Sequence, residues 1–191
     1  MDSERDTWNR RYREGSHASR EPDPLLLHAY ENFIAPLFPD AGRALDLAGG
    51  VGRHAIWMAE HGWQVTLSDI SEVAIERARQ SAGKLETRIE FRVQDLTTSH
   101  CGSGAYDVAL VFFYLDRDIF SKLVDSLRPG GLLIYKTYTH MAPMLGKGPI
   151  HPMHLLQENE LLRAFAGMTV LHYEETIRGR AIAELVARKG R

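Results

Sequence analysis

The chain has 191 residues, 44% of them hydrophobic and 25% charged, with 23 Lys and Arg against 25 Asp and Glu and a formal charge of -2. That length and balance fit one globular domain with a sizeable core, and they exclude disordered and collagen-like chains. There is no basic run to act as a nucleic-acid arm and no apolar run near the roughly 20 residues of a bilayer span. The expectation is a cytoplasmic protein with neither nucleic acid nor membrane as partner.

Taken in chain order, residues 1–38 read as an N-terminal helical lid segment. Within it Trp8, Arg11 and Tyr12 lie three and four apart, which on a helix puts them on one face. Arg43 to Leu47 is a short apolar strand that runs into a glycine turn at Gly49, Gly50 and Gly52, and Val51 to His61 is a helix ended by Gly62. A second strand, Gln64 to Leu67, leads through Ser68 and Asp69 to a helix capped by Ser71, with Val73, Ala74, Ile75, Ala78 and Ala82 as its apolar face. Arg88 to Val93 alternates like an edge strand, Tyr106 to Phe112 is a continuous buried one, and Asp116 to Leu127 is a helix stopped before Pro129.

Gly130 and Gly131 open a fifth strand, Leu132 to Tyr138, followed by a long irregular segment, residues 139–156, of the kind that usually serves function. Glu158 to Ala166 is a last helix, and Met168 to Glu174 and Ala181 to Arg188 are strands joined so closely that they must be antiparallel. Helix and strand alternate almost from end to end. The fold class is therefore α/β: a doubly wound, mostly parallel, seven-stranded Rossmann-like sheet with an antiparallel last strand, in a single domain.

The chemistry centres on Ala44-Leu45-Asp46-Leu47-Ala48-Gly49-Gly50-Val51-Gly52, a strand feeding a glycine turn at a helix start, where amides can face a ligand. The motif also fits a dinucleotide fingerprint, with Asp69 near the required distance downstream to hold a ribose. Three features favour S-adenosylmethionine. Asp46 would repel a pyrophosphate and attract a cationic amino group. Asp95 and Leu96, after the third strand, offer a carboxylate and an apolar neighbour to an adenine. The chain has no second domain for a hydride acceptor.

Over nearly its whole length the chain resembles the class I S-adenosylmethionine-dependent methyltransferases, through Asp46 to Gly52, Asp69, Asp95 and Tyr106-Asp107-Val108. Ala48 stands where that family usually has glycine, a change that is unstrained if its φ is negative. Within the class, Trp8-Asn9-Arg10-Arg11-Tyr12, Pro22-Asp23-Pro24-Leu25, Gly148-Pro149, Asn159-Glu160-Leu161-Leu162 and Tyr173-Glu174-Glu175 resemble the tellurite-resistance and thiopurine methyltransferase-like group.

The resemblance implies methyl transfer to tellurite, selenite or a thiol. It also implies that Asp46, Ala48 and the amides of Gly49, Gly50 and Gly52 line the cofactor, with Asp69 on the ribose, Ile70 and Leu96 about the adenine and Asp95 on its amino group. Arg11 would pair with the methionine carboxylate, and Phe112 would face the sulfonium. Alternative readings make Asp69 a helix cap and Asp95 a turn residue.

His151, His154 and Tyr138, with His140, are the weak candidates for a base or substrate wall; two histidines without further partners do not make a metal site. Cys101, the only cysteine, reads as a loop residue rather than a nucleophile. The competing functions are a nicotinamide-dependent oxidoreductase and a non-catalytic S-adenosylmethionine-binding protein.

Overall fold

The computed structural model describes residues 3–15, 19–98 and 101–190; positions 1–2 and 16–18 of the expected lid segment lie outside them, as does 191. Seven strands form one sheet in the order β3-β2-β1-β4-β5-β7-β6. β7 is antiparallel to both β5 and β6, and the other strands run parallel, as the sequence predicts. The chain divides into two compact units, Met1–His100 and Cys101–Arg191.

In the first unit, β1 (Arg43–Leu47), β2 (Gln64–Asp69) and β3 (Ile89–Val93) are parallel neighbours, with Asp46 beside Leu67 and Asp69 beside Val93. Leu45, Leu47, Val65 and Leu67 are buried, each contributing about 1.5–3 kcal/mol by leaving water. α4 (Arg53–Glu60) starts two residues later than the apolar pattern suggests, because its cap, Gly52, takes the left-handed φ of 76°. α5 (Glu72–Ala82) begins at Ser71 as expected, the serine side chain accepting from the Ala74 amide at 3.1 Å.

The N-terminal segment holds α1 (Glu4–Arg13), α2 (Pro24–Ala29) and α3 (Ala35–Leu37), the last two joined through one π-helical turn, Tyr30–Ile34. α1 is pinned by Asn9, which is buried although polar. Its Oδ1 accepts from Ser71 Oγ at 2.7 Å and the Val73 amide at 3.4 Å, and its Nδ2 donates to Glu72 Oε1 at 3.2 Å. One side chain thus ties the first helix to the start of α5.

In the second unit, β4 (Tyr106–Phe112) is buried along its entire length, which is why it reads as an unbroken apolar run. The expected helix from Asp116 to Leu127 is a 3-10 turn, Arg117–Ile119, followed by α6 (Phe120–Ser126). Asp116 forces the tighter start by accepting from the Asp118 amide at 2.9 Å. β5 (Leu127–Tyr138) begins earlier than Leu132, its Pro-Gly-Gly stretch bulging where Tyr106 pairs with Leu127 and Val108 with Leu132.

The 139–156 segment contains 3-10 turns at Ala142–Leu145 and Pro152–His154, and a Thr139–Leu156 bridge closes its ends. α7 (Glu160–Ala164) is shorter than expected because Asn159 sits at φ 54°; β6 (Thr169–Thr176) and β7 (Ile182–Arg188) complete the sheet. Among the described residues no helix is long and apolar enough to cross a membrane.

Asn9→Ala removes the pin while leaving the exposed face of α1 intact. It is expected to cost about 1–3 kcal/mol, the usual price of stranding buried hydrogen-bonding groups, seen as a lower urea midpoint with faster amide exchange across α1. Unchanged exchange there would show that other contacts hold the helix.

Candidate functional site

The carboxyl ends of β1 and β2 bring Asp46 and Asp69 to the glycine turn, and both are buried. Asp46 Oδ2 accepts from the Ala55 amide in the first turn of α4 at 3.1 Å. Its Oδ1 is buried with no hydrogen-bond partner among the described residues. Asp69 accepts from the Gly50 amide at 2.9 Å through Oδ2 and from the Ser71 amide at 2.9 Å through Oδ1.

Burial pushes the Asp46 carboxyl up to about 7, the negative Asp69 adding to the rise while the Ala55 amide and Arg53 oppose it. Burial also raises Asp69, against the pull of the Ser71 and Gly50 amides.

The expectation of free amides in this turn is corrected. The Gly49 amide donates to Ser68 O at 3.2 Å, Gly50 to Asp69, and Gly52 to Gly49 O at 3.0 Å, so all three are used inside the protein. The glycines are needed for closeness instead. A Cβ on Gly49 would stand 2.6 Å from the Asp46 carboxyl, and one on Gly50 would stand 2.5 Å from the Tyr12 hydroxyl. Ala48 has a φ of 52°, not a negative value, and so carries a strain that glycine would not.

The lid face holds together differently from expectation. Trp8 and Tyr12 pack with ring centroids 5.9 Å apart, and the exposed Arg11 lies over Trp8 at 4.9 Å. Tyr12, not Arg11, reaches the glycine turn, and its burial beside Asp69 and Asp46 pushes its hydroxyl well above the usual range. Ile70 is half-buried and Leu96 buried. Asp95 Oδ1 accepts from the Thr97 amide at 2.9 Å and from Thr97 Oγ1 at 2.7 Å, which is the turn arrangement.

In the second unit Phe112 is buried and ends β4, whereas Phe113 takes a left-handed φ of 58°. Phe113 packs on Tyr138 at 5.1 Å, and the other approach to Tyr138 is so close that a Cβ on Gly148 would stand 2.7 Å from its ring. Tyr138 is therefore a packed wall.

A pocket of about 300 Å³ follows β5, lined by Thr139, His140, Glu158, Asn159, Glu175 and Ile177 among others. His140 Nδ1 is buried without a hydrogen-bond partner among the described residues, and its Nε2 stands 4.0 Å from Glu158. Glu175 is fixed by the Asn159 amide at 2.7 Å and by the Tyr173 hydroxyl. His151 and His154 do not line this pocket; they are exposed on the Pro152–His154 turn, ring centroids 6.1 Å apart. Arg117 staples the far end of the segment, donating to Met153 O and Leu155 O at 3.0 Å each and to Glu160 at 2.6 and 3.0 Å.

One grouping went unread in the sequence because it depends on strand register. His172, Glu174 and Glu184 present ligand atoms within 4.8 Å of one another, with Glu184 ion-paired to Lys136 at 2.8 Å, so an ammonium already supplies positive charge there. Cys101 is buried, which raises its thiol and makes it a poor nucleophile.

Residues 44–131 match the family described as Methyltransferase domain. The curated tRNA 5-carboxymethoxyuridine methyltransferase of Escherichia coli (strain K12) is 33% identical over 129 residues, covering 60% of this chain and 47% of that protein. The match thus spans about half the length of that curated relative.

Two solved structures are similar in fold. One, described as "Conversion of a Disulfide Bond into a Thioacetal Group during Echinomycin Biosynthesis", has a TM-score of 0.73 at 20% identity, covering 98% of this chain and 92% of that one. TehB from Haemophilus influenzae has a TM-score of 0.73 at 17% identity, covering 94% and 66%. The matched family and the curated relative are both described as methyltransferases.

Two outcomes test this geometry. Ala48→Gly is expected to raise stability by about 1 kcal/mol through relief of the left-handed strain, measured as a higher urea midpoint. Folded Asp46 keeps its proton up to about 7 whereas an unfolded Asp releases it near 3.8, so the folded state binds more protons in that window and stability falls as pH rises through it. Asp46→Asn is expected to flatten this part of the plot of urea midpoint against pH; an unchanged slope would mean that the buried carboxyl is ionised throughout.

Proposed function

We propose that the chain is an S-adenosylmethionine-dependent methyltransferase acting on a small soft nucleophile, a thiol ahead of tellurite or selenite. The observation that carries the cofactor assignment is the pair of buried carboxylates under a glycine turn whose three glycine amides are bonded within the protein. Such a turn has no glycine amide to give a pyrophosphate and puts two carboxyl groups where one would lie. It suits a cationic amino-acid end held by Asp46, whose Oδ1 has an acceptor position to spare.

Asp69 keeps lone pairs beyond its two amide bonds and would accept from ribose hydroxyls. Ala48 and Gly49 would line the methionyl end, Ile70 and Leu96 would flank the adenine, and Asp95 would accept from its amino group. In this reading residues 1–38 are the lid and 139–156 the acceptor loop of a single cytoplasmic domain.

When bound, the cofactor supplies an electrophilic methyl on a sulfonium, so in-line attack needs alignment and exclusion of water more than an acid. His140 would take a thiol proton, in the role otherwise given to His151, His154 or Tyr138. The carboxylates of Glu158 and Glu175 beside it oppose an oxyanion, which ranks thiols above tellurite and selenite. The name of the curated relative brings RNA bearing carboxymethoxyuridine into the screen as a second acceptor class, despite the absence of a basic run.

Calorimetry with S-adenosylhomocysteine and with NADH is the test. Micromolar binding of the first alone is expected, weakened about tenfold or more by Asp69→Ala for the loss of hydrogen bonds to a carboxylate; binding of NADH alone would overturn the assignment. A protein that binds S-adenosylhomocysteine but methylates no thiol, tellurite, selenite, phenol, amine or RNA would be a binding protein.

A further inference from the structure

A second cavity lies within the first unit, between α4 and α5, and reaches the glycine turn at Val51. It has a volume of about 500 Å³, the size of a small organic ligand. Arg53, Ile56, Trp57 and Glu60 form one stripe of α4 along its wall, and Arg77, Gln80 and Ser81 form one stripe of α5 opposite. Ser19, Arg20 and Val51 complete the lining.

Three guanidinium groups therefore face one carboxylate. Arg53 is partly committed, standing 3.9 Å from Asp23 and 3.4 Å from Glu21 O. Arg20 and Arg77 have no ion-pair partner among the described residues. Arg20 is exposed and Arg77 half-buried, so both guanidinium groups are within reach of an entering anion, and their fork geometry matches a phosphate. Trp57 and Ile56 add an apolar wall, with Trp57 held by Tyr30 at 4.9 Å and His61 at 3.9 Å.

We propose that this cavity binds a phosphate ester of mononucleotide size, phosphate toward Arg20 and Arg77 and the planar portion toward Trp57. The phosphate comes either from a free nucleotide or from a residue of an RNA chain. Neither Asp46 nor Asp69 lines this cavity, and the proposal does not rest on the methyltransferase assignment.

Calorimetry on the whole protein with cytidine 5'-monophosphate, cytidine and a short cytidine-containing RNA tests this, the pyrimidine being chosen to avoid an adenosyl site. The monophosphate is expected to bind at least about tenfold more tightly than cytidine, and Arg77→Gln to weaken it about tenfold, as for loss of a charge-assisted contact. S-adenosylhomocysteine should not compete. RNA binding more tightly than the monophosphate and competing with it would make RNA the source of the phosphate, whereas monophosphate binding alone would make it a free nucleotide. Arg77 lies on a helix surface, and an unchanged thermal midpoint will show that the variant is folded. Equal affinity for cytidine, insensitivity to Arg77→Gln, or displacement by S-adenosylhomocysteine would each overturn the proposal.

Discussion

Everything in the first unit answers to one electrostatic constraint: two carboxylates held out of water at the ends of adjacent parallel strands. Among the described residues neither is ion-paired, although Arg53 lowers Asp46 from a distance. Their negative charge is instead met by backbone amides, from α4 for Asp46 and from the glycine turn and the start of α5 for Asp69. The turn must be tight enough to deliver the Gly50 amide, and that tightness excludes side chains from Gly49 and Gly50 and bends Ala48 into the left-handed region. A ligand binding here meets a preset negative pocket, with Tyr12 resting on it.

The short motifs scattered along the sequence acquire a common purpose in three dimensions. Asn9 and Tyr12, four apart on α1, divide the labour: the first fastens the helix and the second rests on the turn. Asp23 caps α2 and its amide donates to His54 Nε2 at 3.3 Å, which draws the N-terminal segment onto α4. Asn159 and Glu175, far apart in sequence, meet through one hydrogen bond, while Glu160 answers Arg117. Gly148 allows its segment to lie flat against Tyr138.

The seven strands, the antiparallel last one and the positions of Asp46 and Asp69 were legible because they follow from hydrophobic period, turn spacing and chain direction, whereas the order of the strands in the sheet was not. What stayed hidden depends on φ or on register. Ala48 and Asn159 are left-handed although neither is glycine, and that displaced the expected account of the turn and the start of α7. Amide use within the glycine turn depends on which acceptor lies nearest, and no spacing rule encodes that. His140 emerged over His151 and His154 because a bridge between Thr139 and Leu156 holds it beside the strand end while the others ride on an exposed turn. The cluster of His172 with Glu184 arises only once β6 and β7 are paired.

The Arg117 staple leaves the middle of the 139–156 segment open to change. Its guanidinium grips Met153, Leu155 and Glu160, all at the C-terminal side of the segment, and the Thr139 bridge secures the other end. Between these fixed points Met144, Leu145 and Ile150 are exposed. Loop closure becomes more costly only slowly with length, so this span can be lengthened, shortened or recoloured while both anchors stay put. The protein is thereby built as a constant frame with an interchangeable tip, and that tip can be exchanged without renegotiating the sheet.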